Sequence, residues 1–163
     1  MTIIKSVVSS TCIYQLSCFL LTKEIVGKLD SKCDDFFWGA AENDKIKIHL
    51  KAWKKLCKNK KEGGLGFRSF YNFNLALLAK QSWRIISAND SSLIGSTLRR
   101  KYLETLIKGE KELKPTFSWM MKDVVKASPI VSSNLKWQVG SGKSIPFDHI
   151  KWFPVHEDKR CLL

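Results

Sequence analysis

Apolar residues recur at helical spacing along most of this chain, and the pattern predicts a mainly helical protein. Between residues 23 and 38, for example, Ile25, Val26, Leu29 and Cys33 fall on one side of a helix. The same spacing, together with capping residues and breaks, predicts helices at residues 3–20, 23–38, 50–57, 70–87, 92–103 and 117–126.

The pattern changes after Pro129, where short extended segments replace the helical spacing. Residues 135–139 and 143–147 flank the sequence Gly-Ser-Gly, which is typical of a β-hairpin. The expected fold class is therefore α+β, mainly α with a small β-hairpin near the C-terminus. We expect a helical domain at residues 1–128 and, at 129–163, the short hairpin followed by a partly irregular tail.

Composition and charge narrow the possible partners. With 163 residues, 44% of them hydrophobic, the chain can bury the core of one domain. Its formal net charge of +13 favours polyanions, either nucleic acid or an anionic membrane surface. The uncharged run at residues 6–22 is rich in serine and threonine and follows helical spacing. We therefore interpret it as a packed helix, and a membrane segment is the less favoured alternative.

Five cysteines are spread along the chain without any CxxC pair. Their spacing suggests neither a disulfide framework nor a zinc site, and it is typical of buried thiols in a reducing compartment. We expect an intracellular protein, with nucleus, cytoplasm and mitochondrion all open.

The densest basic stretch lies at residues 44–68, where nine lysines and arginines stand against two acids and supply +7 of the net charge. On a helix at 50–57 the lysines share one face, and Trp53 and Leu56 occupy the opposite one. Such a face suits contact with a phosphate backbone, because lysine supplies charge without reading bases; the alternative is an ordinary solvated helix face. The candidate nucleic-acid-binding residues here are Lys51, Lys54, Lys55, Lys58, Lys60, Lys61 and Arg68.

Two further cations, Lys80 and Arg84, lie one turn apart on the helix predicted at 70–87. They either face the same polyanion or form structural ion pairs. We expect this helix to be buried nearly all round, with Asn74 on its polar side and Trp83 on its apolar side.

No catalytic or metal site is predicted. Asp34 and Asp35 match the paired aspartates with which polymerases hold magnesium, but they fall inside a helical pattern instead of on a turn after a strand. The GKS sequence at 142–144 lacks the first glycine of a phosphate-binding loop, and His149 and His156 match no metal spacing. We therefore expect no enzyme activity, no cofactor and no small-molecule substrate.

Short motifs along the chain resemble a known protein family. They are KIH at 47–49, GGLGFR at 63–68, NLALLAK at 74–80, WR at 83–84 and WQVG at 137–140. In these motifs the chain resembles the thumb or connection segment that follows the polymerase core of plant non-LTR (LINE-type) retrotransposon reverse transcriptases. It is also similar to small plant mitochondrial open reading frames of retroelement origin. Two departures are Leu50, where the family usually has tryptophan, and Ser141, where its turn usually has aspartate.

The resemblance implies a parent polyprotein with RNA-directed DNA polymerase activity, in which this segment packs behind the catalytic palm and helps to hold template and primer. Magnesium would belong to the palm, so this chain is expected to be non-catalytic. The implied partners are the backbone of RNA or of an RNA–DNA hybrid, and a polymerase palm domain. Our leading hypothesis is a nucleic-acid-binding module derived from a transposable element. The alternative is an inert or scaffold-like remnant without a ligand.

Overall fold

The computed structural model shows a helical protein in the part of the chain that it describes. That part comprises residues 3–4, 6, 9–39, 49–88, 91–109 and 115–135. None of these residues lies in a strand, so the expected α+β class is wrong and the described part is all-α. The β-hairpin was predicted at 135–147, and all of that segment except Leu135 lies outside the described residues. The domain division at residue 128 stays a prediction.

Seven α-helices are present in the described part of the chain. They are α1 (Ser9–Thr11), α2 (Ile13–Cys18), α3 (Lys23–Phe37), α4 (Trp53–Leu56), α5 (Phe70–Ile86), α6 (Arg100–Lys108) and α7 (Trp119–Ser132), with a 3-10 turn at Lys60–Glu62 and a π-helical turn at Gly95–Arg99. None of the described helices is long and apolar enough to cross a membrane.

Two predicted helices are confirmed to within a residue or two of their ends. Helix α3 corresponds to the prediction at 23–38, and Thr22 caps it by accepting a hydrogen bond from the backbone N–H of Ile25. Helix α5 corresponds to the prediction at 70–87. Both segments combine a long helical repeat with clear breaks on either side, which is the strongest signal that a sequence offers.

The remaining predictions err in length or continuity. The helix predicted at 3–20 is interrupted, with α2 ending before Phe19, whose backbone is extended. Helix α4 is only four residues long. The helix predicted at 92–103 continues to Lys108, because Thr105 and Leu106 are buried and extend its apolar face.

Helix α7 passes through Pro129, where the sequence pattern indicated a break. A proline inside a helix leaves the carbonyl four residues earlier without its backbone donor. Here that carbonyl belongs to Val125, and the hydroxyl of Ser128 donates a hydrogen bond to it at 2.8 Å. The side chain thus replaces the missing N–H, and the helix continues to Ser132.

Two apolar clusters share α5 as their common element. The first cluster joins α2, α3 and α4 to the N-terminal part of α5, and the second joins the C-terminal part of α5 to α6 and α7. Both clusters contain residues that are almost completely withdrawn from solvent, among them Leu16, Leu78, Leu106, Val124 and Val125.

Asn74 connects α5 to the turn between α2 and α3. Its amide nitrogen donates to the carbonyl of Leu16 at 2.6 Å and to that of Phe19 at 2.8 Å, and its oxygen accepts from the N–H of Leu21 at 2.9 Å. The side chain is 0% exposed, so the expected position of Asn74 on the polar side of the helix is wrong. It satisfies backbone groups that the end of α2 leaves without helical partners.

Asp123 completes this connection from α7. Its carboxylate accepts from the N–H of Leu20 at 3.0 Å, and the ammonium of Lys126 donates to its second oxygen at 2.8 Å. The two side chains, which we call the Asn74–Asp123 clamp, hold the same turn from two helices.

We expect Asn74→Leu to destabilise the fold strongly. Leucine has nearly the same size but would remove the hydrogen bonds to the carbonyls of Leu16 and Phe19 and to the N–H of Leu21, which amounts to about 3 kcal/mol. Ser82→Ala is the matched control, because Ser82 is also buried but makes a 3.0 Å hydrogen bond to Val124, whose carbonyl lies inside α7. Urea unfolding should show a loss below about 1 kcal/mol for the control. Equal losses in the two variants would contradict this role of Asn74.

Candidate nucleic-acid interface

The lysine face predicted for a helix at 50–57 lies only partly on a helix, because α4 contains Lys54 and Lys55 whereas Lys51 and Lys58 lie outside it. Trp53 and Leu56 of this helix are buried, whereas Lys54 and Lys55 are exposed. All seven cations predicted between residues 44 and 68 have exposed side chains, and we call this set the basic patch: Lys51, Lys54, Lys55, Lys58, Lys60, Lys61 and Arg68. None of the seven forms an ion pair with another described residue.

An aromatic stack supports the basic patch from below. The rings of Trp53 and Phe67 are nearly parallel, with centroids 4.9 Å apart, and Phe37 meets Phe67 edge-on at 5.3 Å. Stacked and edge-on ring pairs of this kind stabilise the fold by more than the burial of their apolar surface alone. A four-residue helix is too short to be stable alone, so this stack fixes α4 in place.

Asp30 joins three helices beneath the patch. The indole N–H of Trp53 donates to its carboxylate at 3.1 Å, and the backbone N–H of Phe70, the first residue of α5, donates to it as well. Burial raises the pKa of Asp30 above its ordinary value of 3.8, and the two hydrogen bonds oppose that rise. The carboxylate thus links α3, α4 and the N-terminus of α5, where a negative charge also meets the helix dipole favourably.

The raised pKa of Asp30 predicts a specific pH dependence. The folded state binds a proton more readily than the unfolded chain, so this group's contribution to stability rises as pH falls through the raised pKa towards 3.8. In Asp30→Asn the amide oxygen still accepts from Trp53 but no longer titrates. Urea unfolding between neutral pH and about pH 4 should therefore show a rise toward acid in the wild type relative to Asp30→Asn. Identical pH profiles would contradict the assignment.

The glycine turn closes over the end of α4. The N–H of Leu65 donates to the carbonyl of Leu56 at 2.9 Å, and the N–H of Gly66 donates to that of Lys58 at 2.9 Å. These bonds satisfy carbonyls at the C-terminal end of the helix. The 3-10 turn Lys60–Glu62 lies between these two hydrogen-bonded segments of the chain. Its two lysines are exposed to solvent.

Glycine is required at two positions of this turn for different reasons. Gly63 has a φ of +76°, which a residue with a side chain rarely adopts, and its carbonyl accepts from the ammonium of Lys51 at 2.8 Å. At Gly64 an added Cβ would lie 2.0 Å from the carbonyl oxygen of Lys58. The backbone conformation and close packing of the turn therefore explain the glycines of the GGLG motif. In the candidate interface, this turn positions the lysines on either side of it.

Alanine substitutions separate these two requirements. Gly63→Ala meets no atom within 4 Å, so only the left-handed backbone is penalised, at about 1–2 kcal/mol. Gly64→Ala should cost more, about 3 kcal/mol or above, because the turn must move away from α4. Chemical unfolding of both variants checks the order. A Gly64→Ala protein as stable as Gly63→Ala would contradict the packing described.

The cationic surface continues from the turn onto α5. The guanidinium of Arg68 lies over the ring of Phe73, 4.9 Å from its centroid. Lys80 and Arg84 are exposed further along the helix, and Arg84 donates to the amide oxygen of Gln81 at 3.2 Å. Of the two roles left open for Lys80 and Arg84, ion pairing is not seen with any residue that the structure describes.

Trp83 lies between these two cations in the sequence, and its exposure was not predicted. We expected it on the apolar side of the helix, but its side chain is 51% exposed. It belongs to an exposed stripe that we call the α5 face, formed by Asn72, Ala76, Lys80, Trp83 and Arg84. The sequence contains a signal that could have predicted this stripe. Polar and small residues recur along α5 at i, i+4 spacing, which places them on one solvent-facing side.

The aspartate pair lies in α3, as the helical pattern predicted. Asp34 is 3.0 Å from Nδ1 of His49, and Asp35 is 3.8 Å from Nε2 of the same ring. The described residues contain no group of three or more histidines, cysteines or carboxylates that could hold a metal ion. The GKS segment, His149 and His156 lie outside the described residues.

Comparison with known proteins finds two similar plant proteins. The chain is 34% identical over 155 residues to an Arabidopsis thaliana protein named "Putative ribonuclease H protein At1g65750", and the aligned part covers 93% of this chain and 25% of that protein. It is 38% identical over 133 residues to the "Uncharacterized mitochondrial protein AtMg00310" of the same plant, covering 80% of this chain and 84% of that protein. No protein-family model and no solved structure matches the chain.

These similarities identify a plant retroelement-derived protein. The chain belongs to the family of the uncharacterized mitochondrial protein AtMg00310, and it spans about a quarter of the length of the larger relative.

Proposed function

We propose that this chain is a non-catalytic, reverse-transcriptase-derived module that binds a nucleic-acid backbone electrostatically. The observation that carries the proposal is the basic patch, in which seven cations between residues 51 and 68 are exposed and have no ion-pair partner among the described residues. A phosphate backbone neutralises such a surface and gains entropy from the counterions that it releases.

The lineage supports the finer part of this proposal. The motifs at 63–68 and 74–80 resemble those of the segment after the palm in LINE-type reverse transcriptases, and one relative is a much longer protein named for ribonuclease H. We infer that the chain corresponds to this connecting segment of an RNA-directed DNA polymerase polyprotein. Its partners are then an RNA or RNA–DNA hybrid backbone and a palm domain.

The paired aspartates favour a non-catalytic role for this segment. Catalytic carboxylates that hold two magnesium ions converge from a turn with open coordination positions. Asp34 and Asp35 instead lie in the last turn of α3, where His49 contacts both. We therefore assign magnesium-dependent chemistry to the palm of the parent polyprotein.

Salt dependence tests the binding surface. We expect the triple variant of Lys54, Lys55 and Lys58 to glutamine to bind an RNA–DNA hybrid more weakly and with a flatter salt dependence. Each lost phosphate contact removes roughly 0.9 from the slope of log K against log[salt], or about 2.7 for three. Fluorescence anisotropy between about 50 and 200 mM salt measures this slope. Lys51 is left intact because it also holds the glycine turn.

A matched control removes the same charge elsewhere. The glutamine variant of Arg100, Lys101 and Lys122 carries its changes on α6 and α7, away from the patch. It should retain most of the wild-type slope. Equal losses in the two triple variants would contradict the assignment to the basic patch.

The alternative function is that of an inert remnant without a ligand. This alternative is favoured if the protein unfolds cooperatively but shows no measurable affinity for the hybrid near physiological salt.

A further inference from the structure

The α5 face adds a feature that electrostatic binding of a backbone does not use, namely an exposed aromatic ring. Trp83 is 51% exposed, and it lies three residues after Lys80 and directly before Arg84. Exposure alone does not mark a binding site, since Trp119 is 80% exposed. What distinguishes Trp83 is its position between two exposed cations on a helix without acidic residues.

The charges around Trp83 define the kind of partner. Helix α5 contains no aspartate or glutamate, and the guanidinium of Arg84 is bonded only to the neutral amide of Gln81 among the described residues. At the other end of the helix Arg68 covers the ring of Phe73. A partner for this face therefore combines negative charge with flat apolar surfaces.

Single-stranded nucleic acid has both properties. Its phosphates meet cations, and each unpaired base offers a π-face on which an aromatic side chain stacks. In a duplex the bases already stack on one another and are not available. From Asn72 to Trp83 the α5 face extends about 16 Å along the helix, enough for a short stretch of single strand.

We propose that Trp83 is a stacking platform for an unpaired base, and that Lys80 and Arg84 hold the phosphates beside it. The α5 face then takes the single-stranded part of the same nucleic acid whose backbone lies on the basic patch. This inference rests on the proposed function and deepens it, because it names unpaired nucleotides as a ligand class.

Strands with and without bases test the proposal. A thymidine strand of about 12 nucleotides is compared with an abasic strand that has the same number of phosphates, at equal salt. The wild-type protein should bind the thymidine strand about 5-fold to 100-fold more tightly. Trp83→Ala should lose most of this preference and keep the salt slope, whereas Trp83→Phe, which retains a ring, should keep a substantial part of it. The same measurements with uridine strands distinguish RNA from DNA as the ligand.

A matched control uses a second strongly exposed tryptophan of the described residues. Trp119 is 80% exposed on α7, outside the α5 face, so Trp119→Ala should behave as the wild type. Equal wild-type binding of both strands, or a base preference that survives in Trp83→Ala, would overturn the stacking role and leave the basic patch standing. Failure of the wild type to bind either strand even at low salt would overturn both proposals.

Discussion

The Asn74–Asp123 clamp is the interaction on which the rest of the structure depends. The chain must turn between α2 and α3, and this turn leaves the carbonyls of Leu16 and Phe19 and the N–H groups of residues 20 and 21 outside the helical hydrogen-bond pattern. Side chains from α5 and α7 supply hydrogen bonds to four of these groups. Because unpaired buried polar groups are costly, α3 can pack against α5 only where the clamp is made. The clamp therefore couples the two apolar clusters and fixes the position of α3.

The position of α3 in turn determines the candidate interface. Asp30 projects from α3 to the indole of Trp53 and to the first N–H of α5, so the short helix α4 is held against both longer helices. The lysines of the basic patch repel one another, and a four-residue helix has little stability of its own to oppose that repulsion. The aromatic stack, the carboxylate and the glycine turn supply the missing stability. A rigid, buried support thus carries a charged surface whose repulsion a polyanion would relieve.

The sequence predicted those parts of the protein that depend on local pattern. Thr22 caps α3, and the apolar repeat of α5 defines the length of that helix. Each of these signals involves residues that are close together in the sequence, so each could be predicted. Asn74 and Trp83 were misplaced, because the burial of one and the exposure of the other depend on which neighbours arrive from distant parts of the chain. Pro129 misled for a local reason, since the hydroxyl of the adjacent Ser128 provides the hydrogen bond that the proline removes. The basic patch was found because charge runs are visible in sequence, but its support by Asp30 and Phe67 was not.

Lysine footprinting tests the central claim, that this surface holds nucleic acid, most directly. Acetylation rates of individual lysines can be compared by mass spectrometry with and without a bound RNA–DNA hybrid carrying a single-stranded end. We expect strong protection of Lys54, Lys55, Lys58 and Lys80, all of which are exposed in the free protein, and little protection of Lys101 on α6, which is exposed as well. Protection spread evenly over all of these lysines, or confined to Lys101, would contradict it.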